Sequence, residues 1–345
     1  MPESCKCDLL RTTQELESFY STWNVLWDED VNATPFQTPQ WLLPWWHQFG
    51  QPDLRTVVMY RTGKPIAFVP FYIYRAQGGN ERQLLLLGVG TSDYLDGVFA
   101  PECTTGHIGM ALDLLRKEGG WDVLYAGQLR PQSILFRALQ ESKDIRVRRF
   151  DGESCSRMEA CRLAELPVKI RRNAMYYRNR AMRQGRLELT VADESTWSVF
   201  FDGLEHLHTA RWQSRGQGGV LADRRVLAWH REAIPLLQKR GMLRLHSLRL
   251  DGDVLGVAYS LIDLAERPGR TEYIYLTAHS LRHAALRPGT LLLALMMEQA
   301  AEEGVETIDM LRGDEAYKKL WHVEAAPTFA FAMQHAGEER ELLSA

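Results

Sequence analysis

Apolar residues rich in valine, isoleucine and aromatics dominate 54–60 and again 66–74, with Arg61-Thr62-Gly63-Lys64 between them. Two such runs around a glycine turn predict a β-hairpin. Beyond it, 83–88 reads as a strand, 107–117 as a helix and 121–125 as another strand. The pattern then returns. Residues 243–250 and 254–262 are two runs rich in apolar residues around Asp251-Gly252-Asp253, predicting a second hairpin, followed by a strand at 272–277, a helix at 290–303 and a strand at 307–311. Gly252 follows Gly63 by 189 positions (252 − 63), and at that offset Leu54 meets Leu243, Arg55 meets Arg244 and Ile66 meets Leu255. The repeated order predicts two related α/β units, 1–150 and 151–345, each a mixed twisted sheet flanked by helices. Ahead of the first hairpin, Trp23, Trp27, Trp41, Trp45 and Trp46 fall at helical spacing and read as core.

Composition supports two buried cores: the 345 residues are 45% hydrophobic and 25% charged. A net charge of -3 argues against polyanion binding by the whole surface but allows a local patch. Such a patch exists between the two units. The window 169–186 holds Lys169, Arg171, Arg172, Arg178, Arg180, Arg183 and Arg186 with no acid, and 173–182 within it can form a helix bearing Tyr176 and Tyr177. It reads either as the solvated face of a connecting helix or as a cradle for phosphate on a nucleotide-carried substrate or nucleic acid.

Several chemistries are excluded. There is no G-x-x-x-x-G-K-[ST], Gly88-Val89-Gly90 lacks the third glycine of a dinucleotide fingerprint, and no H-E-x-x-H occurs. Cys5 and Cys7 have no matching second pair, and His206 and His208 point to different helix faces, so no metal is expected. No run approaches the ~20 apolar residues of a membrane helix. The first ten residues lack a signal-peptide core, and five scattered cysteines suit a reducing compartment, so a cytoplasmic location is expected.

The segment Leu286-Arg287-Pro288-Gly289-Thr290 opens the helix at 290–303. Orphan N–H groups there favour an anion, with Gly289 permitting close approach, Thr290 able to cap the helix and Arg287 supplying charge. An ordinary Pro-Gly turn is the plain alternative. The element order of the second half, closing with a short helix at 314–320 and a strand at 328–333, resembles the GNAT acyltransferase fold. In that fold the fourth and fifth strands splay and an acyl-CoA thioester lies in the gap. The resemblance implies Tyr275, Thr277, Arg287, Gly289 and Thr290 as the acyl-CoA site, with acetyl-CoA as the leading donor.

A more specific likeness lies in Asp309-Met310-Leu311-Arg312-Gly313-Asp314-Glu315-Ala316-Tyr317-Lys318-Lys319-Leu320-Trp321. It resembles the D-x-x-R-G-x-x-x-Y-K-x-x-W signature of the CelD/BcsL-type acetyltransferases, a GNAT branch related to the FemAB peptidoglycan aminoacyltransferases. Pro35-Phe36-Gln37-Thr38-Pro39-Gln40-Trp41, Gly90-Thr91-Ser92-Asp93-Tyr94-Leu95-Asp96 and His208-Thr209-Ala210-Arg211-Trp212 resemble the same family. A tandem pair of GNAT-like units also matches FemAB architecture.

By this resemblance Lys318 stabilises transition-state charge and Tyr317 is the leaving-group acid or a stacking partner. Asp309, at the end of a strand expected to face the cleft, accepts or orients the amine proton, unless it is paired structurally with Arg312. Asp93, Tyr94, His208, Arg211, Trp212 and Arg312 are the expected acceptor-binding residues; His208 and Trp212, four apart, share a helix face. The full acyl-CoA loop R/Q-x-x-G-x-G/A is reduced here to Gly289, which leaves aminoacyl-tRNA open as donor. Three functions follow. The first is N-acylation of an amine or amino-sugar, free or nucleotide-linked, in envelope or exopolysaccharide synthesis. The second is FemAB-like aminoacyl transfer using tRNA. The third is a non-catalytic role alongside polysaccharide synthase components.

Overall fold

The structure is a computed structural model and describes residues 5–51, 53–76 and 78–335. Contacts divide it into two compact units, one of 5–153 with 327–335, the other Ser154–Ala326. The first carries β1 (Cys5–Leu10), β2 (Thr56–Arg61), β3 (Lys64–Val69), β4 (Phe71–Arg75), β5 (Arg82–Leu86), β6 (Val98–Phe99), β7 (Val123–Leu129) and β8 (Val147–Asp151). Its helices are α1 (Thr13–Ser18), α2 (Tyr20–Glu29), α3 (Pro39–Phe49), α4 (Thr105–Glu118) and α5 (Ile134–Gln140). The second carries β9 (Cys155–Glu159), β10 (Leu187–Val191), β11 (Leu243–Leu250), β12 (Asp253–Ile262), β13 (Thr271–His279), β14 (Thr307–Arg312) and β15 (Glu324–Ala326). Its helices are α6 (Val168–Met182), α7 (Trp197–Gln213), α8 (Arg224–Arg240) and α9 (Pro288–Glu302). The last strand, β16 (Phe329–Gln334), belongs to the first unit.

The two predicted hairpins form, and they match in detail. Thr62-Gly63 and Asp251-Gly252 all have positive φ, the type I′ geometry that fits the twist of a two-residue hairpin, and glycine meets it without Cβ strain. Each hairpin also carries a bulge, at Met59/Tyr60 in one and Leu248/Arg249 in the other. The bulges lie 189 residues apart (248 − 59), the same offset as the turns.

Two expectations are corrected. The predicted strand over 66–74 is two strands in different sheets. Pro70 separates β3, in the sheet β1-β2-β3-β6, from β4, in the sheet β4-β5-β7-β16-β8. Proline lacks the N–H that a continuous ladder requires. The strand expected to close the second unit, over 328–333, instead inserts between β7 and β8 of the first.

The first unit's tryptophans are buried, and their indole N–H groups tie its two family-like segments together. Trp23 donates to the Gln37 carbonyl (2.9 Å) and Trp27 to the Thr34 carbonyl (2.8 Å). Trp41 donates to Ser92 Oγ (2.7 Å) and Trp45 to Thr91 Oγ1 (2.7 Å).

The second unit holds the sheet β10-β11-β12-β13-β14-β9-β15. α6 and α9 bury one face through Ala258, Ile262, Ile274, Leu292 and Met296. α7 and α8 cover the other, where Tyr259 and Tyr275 meet His230 edge-on. The parallel pair β13–β14 matters most for function. It runs only from Thr271–Tyr273 against Thr307–Asp309, after which β13 continues to His279 paired with β12 but no longer with β14. The two strands therefore splay.

Candidate functional site

At the open end of that splay lies a cavity of about 340 Å3. Thr277, Ala278 and His279, where β13 has parted from β14, form one wall. Arg287, Gly289 and Thr290 at the start of α9 form a second, and Tyr317, Leu320 and Trp321 a third. Arg211 of α7 and Ile170 of α6 complete it, with Leu292 and Leu293 as apolar floor. Cations and an apolar floor together suit a ligand with an anionic end and an aliphatic body.

The entry to α9 is strained. Arg287 is its N-cap, at φ 49 and ψ 53, in the left-handed region that costs a residue with a side chain energy. Pro288 takes the first helical position, where its missing N–H is no loss, so the helix begins two residues before Thr290. Thr290 therefore does not cap the helix as expected. It lies inside the first turn and lines the cavity. The N–H groups of Thr290 and Leu291 return to the Arg287 carbonyl at 3.0 and 3.2 Å. Gly289 faces His279, and a Cβ there would sit 3.4 Å from Nδ1, an ordinary contact.

Two titratable side chains line the cavity. Burial, and then the Glu315 charge, push the Tyr317 phenol up to about 12, with Arg211 acting the other way, so it is a protonated donor at neutral pH. Burial, followed by the Arg211 and Arg215 charges, lowers His279, so its imidazole is neutral. Sequence reasoning missed His279. The only available signal was its position two residues after Thr277, on the face that the splay exposes.

Asp309 and Lys318 serve the loop that carries Tyr317. Asp309 is fully buried rather than facing the cleft. Its Oδ2 accepts from Arg157 Nε at 2.7 Å, and its Oδ1 accepts from the Leu311 N–H at 2.8 Å. Asp309 thus pairs with Arg157 on β9, a residue sequence reasoning also missed. Lys318 is buried, and Nζ donates to the carbonyls of Leu311 (3.2 Å), Arg312 (2.7 Å) and Gly313 (3.2 Å), with Glu315 Oε2 at 2.9 Å. Leu311 is left-handed (φ 57) and Gly313 has φ 110, so the backbone curls around the ammonium. The helix expected at 314–320 shortens to a 3-10 turn, Lys318–Trp321, because Lys318 is spent on this curl. Neither Asp309 nor Lys318 is among the residues lining the cavity.

The remaining expected residues divide. Arg211 lines the cavity; Arg312 lends its carbonyl to Lys318. His208 is buried, its ring 5.9 Å from that of Trp212 on the shared face, and both rings abut Gly219, so the pair packs a loop onto α7. His206 is exposed, on the other face as expected. Tyr275 turns away from the cavity into the α8 aromatic cluster. Asp93 and Tyr94 are buried in the first unit, where the Tyr94 carbonyl accepts from Gln37 Nε2 and its ring lies under Arg130. Among the described residues no group of three or more His, Cys, Asp or Glu could hold a metal ion, and no helix is long and apolar enough to cross a membrane.

Comparison with known proteins agrees with this geometry. Residues 168–319 match the family model of the acetyltransferase (GNAT) domain. No curated protein matches the chain by sequence. FemX is similar in structure, with a TM-score of 0.64 at 12% identity, covering 94% of this chain and 96% of its own. L-PGS from Bacillus licheniformis gives 0.57 at 14% identity, covering 92% and 93%. A C-terminal domain from Agrobacterium fabrum, described as that of a lysylphosphatidylglycerol synthetase, gives 0.57 at 14%, covering 93% and 92%. At such identities the likeness is one of fold. The splayed β13–β14 pair with its cavity, the match of 168–319 to the acetyltransferase (GNAT) domain model and the shared fold agree on a GNAT-like fold for this part of the chain.

Proposed function

We propose that the protein transfers an acyl group from an acyl-CoA, with acetyl-CoA the simplest case, to the amine of a small or nucleotide-linked acceptor. The observation that supports this most directly is the cavity where β13 parts from β14, lined by Arg287, Gly289, His279 and Tyr317 around an apolar floor. Arg287 and the α9 N-terminus suit the diphosphate of the donor, and Leu292, Leu293 and Ile170 suit its aliphatic arm.

In this reading His279, neutral through burial, takes the proton of the attacking amine. The amine nitrogen bonds to the thioester carbon, the carbon–sulfur bond breaks, and Tyr317 gives its proton to the departing thiolate. Lys318 and Asp309 hold the loop that places Tyr317, which makes them positioning residues. An acceptor in envelope or exopolysaccharide synthesis, as in the CelD/BcsL family that the Asp309–Trp321 signature resembles, is part of this proposal. Aminoacyl-tRNA remains the second donor, favoured by the reduced acyl-CoA loop.

The test is a donor screen by thermal shift with acetyl-CoA, longer acyl-CoAs and charged tRNA. A ligand at 100 times its Kd adds about 2.7 kcal/mol. A shift with acyl-CoA that Arg287→Ala diminishes supports the reading. A shift with charged tRNA alone replaces the donor, and none with any donor at millimolar concentration overturns the site.

A further inference from the structure

α6 presents an outward face that neither the fold nor the cavity uses. Ile170, Ala174 and Ala181 are buried against the core, which fixes the helix and sets its opposite side outward. Val168, Met175 and Met182 are 60%, 50% and 56% exposed. They recur every seven residues and so form one line along the helix. Tyr176, also exposed, stands beside it. At 100° per residue, Lys169, Arg172 and Arg183 flank the line on one side and Arg171 and Arg178 on the other.

The cations divide by what holds them. Arg171 donates to the Ala164 carbonyl, Arg180 to the Ala285 carbonyl, and Arg178 lies 3.9 Å from Glu298. Lys169, Arg172 and Arg183 have no ion-pair or hydrogen-bond partner among the described residues. A shallow groove of about 560 Å3, lined by Val168, Lys169, Arg172, Asn173 and Tyr176, runs between two of these cations. Its size and charge suit a phosphate headgroup.

We propose that this face of α6 docks the protein on an anionic lipid bilayer. Val168, Met175 and Met182 enter the boundary between headgroups and acyl chains, while Lys169, Arg172 and Arg183 meet lipid phosphates on long aliphatic stems. A nucleic acid would satisfy the cations but offers nothing to a line of valine and methionine, and the apolar line therefore favours a bilayer. The proposal does not depend on the acyl-transfer reading.

The full chain is sedimented with phosphatidylcholine vesicles and with vesicles containing about 30 mol % phosphatidylglycerol, at about 0.1 M salt. Binding is expected to the anionic vesicles only. At about five-fold per surface cation, Lys169→Glu with Arg172→Glu and Arg183→Glu lowers partitioning on the order of 100-fold. Val168→Ser with Met175→Ser and Met182→Ser also releases the protein, at an unchanged melting temperature. Absence of binding by the unaltered chain, or equal binding to both vesicles, overturns the proposal. So does full binding by the serine variant. Displacement from vesicles by tRNA that the serine variant still binds with unchanged affinity reassigns the face to nucleic acid.

Discussion

At Lys318 three backbone carbonyls and the Glu315 carboxylate converge on one buried ammonium. Lys318→Met leaves those carbonyls buried without a donor, at about 1–3 kcal/mol for an unsatisfied group. The variant is expected to melt lower and to lose turnover through a misplaced Tyr317, whereas Tyr317→Phe loses turnover at an unchanged melting temperature. Paired melting curves and rates decide it; a Lys318→Met variant of normal stability and low turnover would return the lysine to a direct catalytic role. Asp309→Ala removes the buried acceptor that Arg157 and the Leu311 N–H share within β14, and a stability loss of about 1–3 kcal/mol is expected by denaturant melt.

Buried Glu272 offers a test of pH dependence. Burial raises its carboxyl to about 7, with the Ser260 hydroxyl and Arg244 acting the other way. A carboxyl raised from 4.5 contributes stability that is complete below pH 4.5 and is lost as pH rises through 7. Glu272→Gln should therefore stabilise the protein at pH 8, by roughly 1–3 kcal/mol, and much less at pH 5. His246, 3.8 Å away and lowered to about 4 by burial, works oppositely, destabilising the fold as pH falls below 6.5. An equal effect of Glu272→Gln at both pH values would show that the carboxylate is already charged in the fold.

Among the elements, α9 combines helix-forming sequence with a strained start. Glycine adopts φ near 49° without the Cβ clash that Arg287 bears, so Arg287→Gly is expected to stabilise the protein by about 1 kcal/mol. The same change should weaken the thermal shift given by CoA, because the cation is gone. A gain in stability without loss of the shift would remove Arg287 from the donor site. The hairpins, α9 and the strand beside it were legible in sequence because period and turn chemistry are local properties. The division of 66–74 at Pro70 was signalled by a proline whose meaning depends on which strand stands beside it.

For the whole molecule, the passage of β16 into the first unit makes that unit depend on the end of the chain. A chain ending at Ala326 loses the strand between β7 and β8. Hydrogen exchange should then rise across β4, β5, β7 and β8 while β11–β14 stay protected. Protection unchanged in both sets would mean that β16 is dispensable. The sequence alone determined that there are two related α/β units, that their hairpins lie 189 residues apart (252 − 63), and that 286–290 opens a helix. It also marked Tyr317 and Arg211, which share the cavity wall. Only the tertiary structure decided that Lys318 and Asp309 brace the loop, that His279 enters the cavity, that Tyr275 leaves it, and that β16 crosses to the other sheet. Spacing along a chain fixes the face on which a side chain lies. What waits on that face is decided by the fold: the carbonyls of a curled loop for Lys318, and for Asp309 a strand 152 residues away (309 − 157) that carries Arg157.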